Sequence, residues 1–226
     1  MRKYFLILLL FASVAANAQF YIYPETAGKN TFYGFTQLSF RPQNDFIMSY
    51  TTLQYGVANW LDLGIDMAAS GHEANMGFVA HVGYRFNKWI GVGAQFVPSF
   101  DLNDKFKFNY ITNLYMLDGA LTPSGNLWWT SNTWHTISRN GEQDISNWWY
   151  LGYNIKLAEN HTLNTAVGIY HSWRFDEPAD MAFILSYNYK WLNVFANLSE
   201  LLPDRNVKGN YMPQISCALE FFIPTK

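Results

Sequence analysis

The sequence predicts an all-β protein: a closed, antiparallel, up-and-down transmembrane β-barrel, most simply of twelve strands. Three observations lead there. The stretch "NMGFVAHVGYRFNKWIGVGAQFVP" at 75–98 alternates in period two on either side of Asn87 and Lys88. Segments of this kind recur along the whole chain, most of them 9 to 13 residues long. The connections between them alternate between short and long. Side chains of a strand point to opposite faces in turn, so each segment is a two-faced ribbon. In a soluble protein the apolar face turns inward; in a membrane barrel it turns outward to lipid.

The first element is a targeting segment. Arg2 and Lys3 precede an apolar stretch from Tyr4 to Val14, too short to span a bilayer as a helix, and Ala16-Asn17-Ala18 gives a small-x-small cleavage pattern before Gln19. Residues 1–18 are therefore expected to be a signal peptide, and 19–226 a single exported domain. Without Arg2 and Lys3, the 15 Lys and Arg become 13 against 17 Asp and Glu, a net charge of −4. That balance lacks the basic stripe of a nucleic-acid binder. Cys217 is the only cysteine, which excludes an intrachain disulfide framework and a cysteine-based zinc site. Charged residues are 14% of the chain, against about 25% in ordinary soluble domains, while aromatics reach 19%.

Twelve strands follow in order, at 31–41, 46–56, 60–69, 75–86, 89–98, 106–117, 126–136, 146–157, 161–173, 181–190, 192–200 and 211–222. Their length suits the roughly 9–11 residues of a tilted membrane strand better than the 5–6 usual in globular sheets. In the third, Leu61, Leu63, Ile65 and Met67 oppose Asp62, Gly64 and Asp66. In the sixth, Phe106, Phe108, Tyr110, Leu114 and Met116 oppose Lys107, Asn109 and Asn113, and the apolar set is expected to face lipid. In the tenth, Met181, Phe183, Leu185, Tyr187 and Tyr189 oppose Ser186, Asn188 and Lys190. The first two strands alternate least regularly.

Connections after strands 2, 4, 8 and 10 are short ("VAN", "NK", "AEN" and Trp191), and those after odd strands are longer and more polar, ending with "RFDEPAD" and "LLPDRNVKGN". Short periplasmic turns and longer exterior loops give this alternation. "DGALTPSG" after strand 6 departs from it. Backbone groups in lipid must pair within the protein, so a chain without a spanning helix must close its sheet. Trp60, Trp89, Trp149, Trp173 and Trp191 sit near strand ends, where a ring with one polar edge suits the headgroup level. A soluble periplasmic β-sandwich is the competing architecture; it gives no reason for the alternating connections.

The signal ending "ANAQ", the "YGVANWLDLGIDM" junction at 55–67 and the hairpin at 75–98 together resemble small outer-membrane β-barrel proteins of Gram-negative bacteria, of the porin-like or transporter type. The resemblance spans the whole chain after the signal and implies an outer-membrane location, contact with its lipids, and insertion by the outer-membrane assembly machinery. It names an architecture and no substrate. One departure concerns insertion: such barrels commonly end on an aromatic residue, whereas Phe221 and Phe222 are followed by "IPTK".

The predicted inner face carries Asp62, Asp66, His81, Arg85, Lys107, Lys156, Lys190 and Glu220. These side chains either pair and fill a narrow barrel or form a selectivity ring in a small aqueous channel. A second candidate set, Trp128, Asn132, Trp134, Trp148, Tyr150 and Asn154, shares one face of the neighbouring strands 7 and 8. Aromatic planes interleaved with amides suit a sugar or a nucleobase, or simply plug the barrel.

Signals for catalysis are poor. His171 and Ser172 are neighbours and point to opposite faces, and the His and Ser two apart that outer-membrane lipid hydrolases commonly carry are missing. Gly91 and Gly93 precede no helix, against a phosphate-binding loop. Asp176, Glu177 and Asp180 read as a solvated loop more simply than as a calcium site. Asn160 and Asn197 begin Asn-x-Ser/Thr triplets that mean little in a bacterial setting. The expectation is a non-enzymatic, monomeric barrel without cofactor or metal that passes small polar solutes, with a closed structural or interaction barrel as the alternative.

Overall fold

The computed structural model describes residues 23–41, 46–71, 73–172, 180–199, 201 and 213–225. The expected signal peptide, Trp173, Asp176 and Glu177 lie outside the described residues. Twelve strands follow one another: β1 (Thr31–Arg41), β2 (Phe46–Ala58), β3 (Leu61–Ser70), β4 (Glu73–Asn87), β5 (Ile90–Asp101), β6 (Lys107–Ala120), β7 (Leu127–Ser138), β8 (Gln143–Ala158), β9 (His161–Ser172), β10 (Asp180–Tyr189), β11 (Leu192–Ser199) and β12 (Gln214–Pro224). Each pairs antiparallel with its sequence neighbours, and β1 pairs with β12 from Thr31↔Pro224 to Phe40↔Ile215, which closes the sheet into a barrel. Closure leaves no unpaired edge.

Which way the faces point settles the ambiguity of the alternating pattern. Ile47, Leu53, Phe78, Leu151, Ile169, Phe183 and Ile215 stand exposed on the outside. Their neighbours along the strands, among them Met48, Gln54, Val79, Asn132, Ser186 and Ser216, are buried within. Large apolar side chains cover the outer surface while amides and hydroxyls are enclosed, the reverse of a water-soluble core and the arrangement of a barrel in lipid. The least regular strands, β1 and β2, follow the same rule: Gln37 and Ser39 of β1 point in, Leu38 and Phe40 out.

Tight turns gather at one end. Asn160 (φ 61°) and Lys190 (φ 52°) take the left-handed conformation that two-residue hairpin turns use. Trp60, Trp89 and Trp191 stand in turns at this end, all exposed. The chain returns here too, because Thr225 donates its N–H to the Asn30 carbonyl at 2.7 Å. The longer connection from 121 to 126 is compact: Leu121 N–H bonds the Leu127 carbonyl at 2.7 Å, Gly125 turns at φ 75°, and Lys88 Nζ reaches the Pro123 carbonyl at 2.8 Å. At the opposite rim, Lys107 Nζ lies 2.9 Å from Asp104 Oδ2 and holds that exposed carboxyl below its ordinary range.

The facing of β6 differs from the expectation. Leu114 and Met116 point into the barrel, fully buried, and Tyr115 and Leu117 stand outside. A bulge in the β5–β6 ladder, where Ser99 pairs with Tyr110 but Phe100 with Phe108, shifts the register of the strand's first residues. Further along, apolar residues occupy both faces, so alternation alone assigned the wrong one to lipid. Lys107, in register with Asp101 and the inward Asn75, is exposed at the rim rather than set in the inner wall.

Inside, the two halves of the wall differ. From β7 through β12 to β2, the inner face carries an apolar cluster among its buried amides and hydroxyls: Phe35, Trp148, Tyr150, Ile184 and Phe195 pack together, with Trp128, Trp134 and Tyr170 against them. From β2 to β5 it is thin, because Gly56, Gly64, Gly77, Gly83, Gly91 and Gly93 fall on inward positions.

Candidate functional site

The inner wall of β3, β4 and β6 carries a connected set of charges. Asp62 pairs in register with His81, and His81 Nδ1 lies 3.8 Å from Asp62 Oδ2. Two residues on from Gly83, Arg85 directs Nη2 at both oxygens of Asp118, each at 2.6 Å. Asp66 accepts a bond from the Tyr50 hydroxyl at 3.4 Å. Across the β1–β12 seam, Glu220 accepts from Tyr33 at 3.1 Å and from Asn193 at 2.5 Å.

The thin wall is occupied by the chain itself. Residues 23–29 pass along the inside of β2 to β5 and bond to the predicted charges. Ala27 donates its N–H to Asp62 Oδ2 at 2.7 Å, His81 Nε2 meets the Pro24 carbonyl at 3.0 Å, and Arg85 Nε pairs with the Glu25 carboxylate. Pro24 is fully buried. Nearer the rim, Thr26 Oγ1 and the Lys29 N–H bond Asn59. A Cβ on Gly83 or Gly93 would overlap the Pro24 carbonyl, and one on Gly56 would overlap that of Gly28; one on Gly91 would crowd Pro24 Cγ at 3.1 Å. Glycine is required here because another stretch of backbone lies against the wall.

The aromatic set is brought together on the opposite side. Trp148 and Tyr150 stack at 5.5 Å with an interplanar angle of 10°, and Trp148 also meets Tyr170 at 5.1 Å. Trp128 donates its indole N–H to Asn154 at 3.2 Å, and Asn132 Oδ1 accepts from the Thr130 hydroxyl at 3.5 Å. The buried indole N–H groups of Trp134 and Trp148 meet no acceptor among the described residues. Trp129 and Trp149 stack with each other on the outer face.

The structure therefore places Asp62, Asp66, His81, Arg85 and Glu220 on the inner wall, with Trp128, Asn132, Trp134, Trp148, Tyr150 and Asn154 facing them. Lys107 and Lys190 do not join them: Lys190 is in the turn after β10, its ammonium 5.2 Å from the Tyr189 ring centroid. Lys156 takes an inward register but is exposed near the end of β8. Two members of the charged set escaped sequence reasoning. Asp118 was hidden by the reversed facing of β6, and Glu25 precedes the first strand. The row of inward glycines on β4 and β5 was the available signal for the segment that Glu25 belongs to.

No family model matches the chain, and no curated protein matches it either. Solved structures do share its fold. The KdgM porin superposes with a TM-score of 0.57 at 10% identity, covering 84% of this chain and 98% of its own. The NanC porin gives 0.54 at 10% identity over 85% of this chain and 100% of its own. The COG4313 outer membrane channel from Pseudomonas putida F1 gives 0.55 at 11% identity over 93% and 100%. At such identities the likeness is one of fold alone, here a closed barrel of twelve strands.

Proposed function

We propose that the protein is an outer-membrane channel that passes small polar solutes passively, as a monomer. The carrying observation is the enclosed, hydrogen-bonding inner wall within a barrel whose apolar side chains face outward. Its fold is shared with porins and an outer-membrane channel, which supports the same reading. The balance of inner charges favours cations and neutral solutes. Asp62, Asp66 and Glu220 line the wall, while the guanidinium of Arg85 is taken up by Asp118 and Glu25. A KdgM porin structure holds disordered oligogalacturonate; the lining here offers a polyanion little.

A second reading, a closed structural or interaction barrel, draws on the tight burial of inner side chains such as Leu114, Trp148 and Tyr150. Planar-bilayer recording separates the two. The channel reading expects resolved single-channel currents whose reversal potential in a KCl gradient reports cation preference. Asp62→Asn together with Asp66→Asn is expected to reduce that preference. Absence of current from folded, inserted protein supports the closed barrel, and unchanged selectivity in the double variant removes these carboxylates from the account.

A further inference from the structure

The segment from Tyr23 to Lys29 is held differently from the rest of the interior. The aromatic side is packed by interlocking rings, whereas this segment lies in a trough of glycine backbone and is gripped by polar groups. Those contacts include an ion pair to Arg85, an N–H to Asp62, a carbonyl to His81 and two bonds to Asn59 at the rim. Water can replace each of these polar contacts on release, so undocking, which also exposes the buried Pro24, costs less than removing a wholly apolar plug. Arg85 and Glu25 are each about a third exposed (32%), which gives water a path to the pair. Tyr23 alone touches the aromatic cluster.

The attachment is at the rim. Asn30 donates its N–H to the Gly56 carbonyl at 2.8 Å and accepts from Thr225, and the backbone turns through left-handed conformations at Gly28 (φ 87°) and Asn30 (φ 61°). Residues beyond this point can swing while Asn30 stays fixed to the barrel wall.

We propose that residues 23–29 form a gate docked in the lumen, with Gly56, Gly83, Gly91 and Gly93 as its seat and Asp62, His81 and Arg85 as its latch. Docked, the segment fills the space beside the thin wall and occupies the inner charges. Undocked about Asn30, it uncovers them and widens the passage. This inference rests on the channel reading above.

Single-channel recording of the full chain, of Glu25→Ala and of a chain lacking 23–29 tests it, with heat-modifiable electrophoretic mobility as the check on folding. Glu25→Ala is expected to raise the ratio of open to closed time about tenfold, the equivalent of about 1.4 kcal/mol, and the deletion to abolish long closures. Gly93→Val, which fills the seat, is expected to act like the deletion. Independently, Pro24→Cys in a Cys217→Ser background is expected to react slowly with a water-soluble maleimide, and about tenfold faster when Glu25→Ala is added. If all three chains conduct with the same open fraction and unit conductance, the gate is overturned and the channel stands. If none conducts although all are folded, the channel reading fails and the gate with it. A maleimide rate that Glu25→Ala leaves unchanged overturns the detachable latch.

Discussion

At the scale of single residues, the interior is governed by pairing. Arg85 sits between two carboxylates, Glu25 and Asp118, and its removal leaves both without a cation inside the wall. Because Arg85 and Glu25 are partly exposed, the loss is smaller than for a fully buried pair: Arg85→Ala is expected to destabilise the barrel by about 1–3 kcal/mol, measured as a lower urea midpoint for the heat-modifiable band. On the aromatic side, a Cβ at Gly152 would collide with the Trp128 ring. Gly152→Val is expected to cost about 1–3 kcal/mol through overpacking and to alter the near-ultraviolet dichroism as Trp128 leaves Asn154. Such residues were legible only in part. Alternation put Asp62 and His81 on one wall, and adjacency of β3 and β4 brought them together. It could not reveal that Pro24, Glu25 and Ala27 approach from inside, because that contact crosses from a segment with no strand pattern of its own.

At the scale of elements, all twelve strands and the alternation of their connections were readable, since period two and turn residues are local properties. Boundaries agree within a few residues; β1 spans 31–41 on both counts. The facing of β6 was not readable. Facing was assigned on the premise that an inner wall is polar, and that premise fails where the interior is packed: Leu114 lies opposite Gln95 and Trp134, and Met116 opposite Gly93 and Asn132. The bulge beside Ser99 removes the remaining cue. Spin labels placed singly at residues 114 to 117 in liposomes check the assignment. Labels at 115 and 117 are expected to collide freely with dissolved oxygen in the bilayer, and labels at 114 and 116 to be shielded. The opposite phase would restore the sequence-based facing.

At the scale of the whole molecule, one barrel combines a continuous apolar exterior with an interior divided between rings and glycines. The closing seam of β1 with β12 makes this possible, because it satisfies the last backbone groups that lipid could not. The asymmetry of the interior then follows from the sequences of the two halves: inward rings of Trp128, Trp134, Trp148, Tyr150 and Phe195 on one side, and inward glycines on β2 to β5 that leave room for the segment before β1. The outer surface is built for acyl chains, and removing detergent tests this most directly. Purified protein is expected to keep its β-sheet circular dichroism as a single species in sedimentation only while detergent or lipid is present, and to aggregate when it is withdrawn. A folded, monodisperse species in plain buffer would contradict the account.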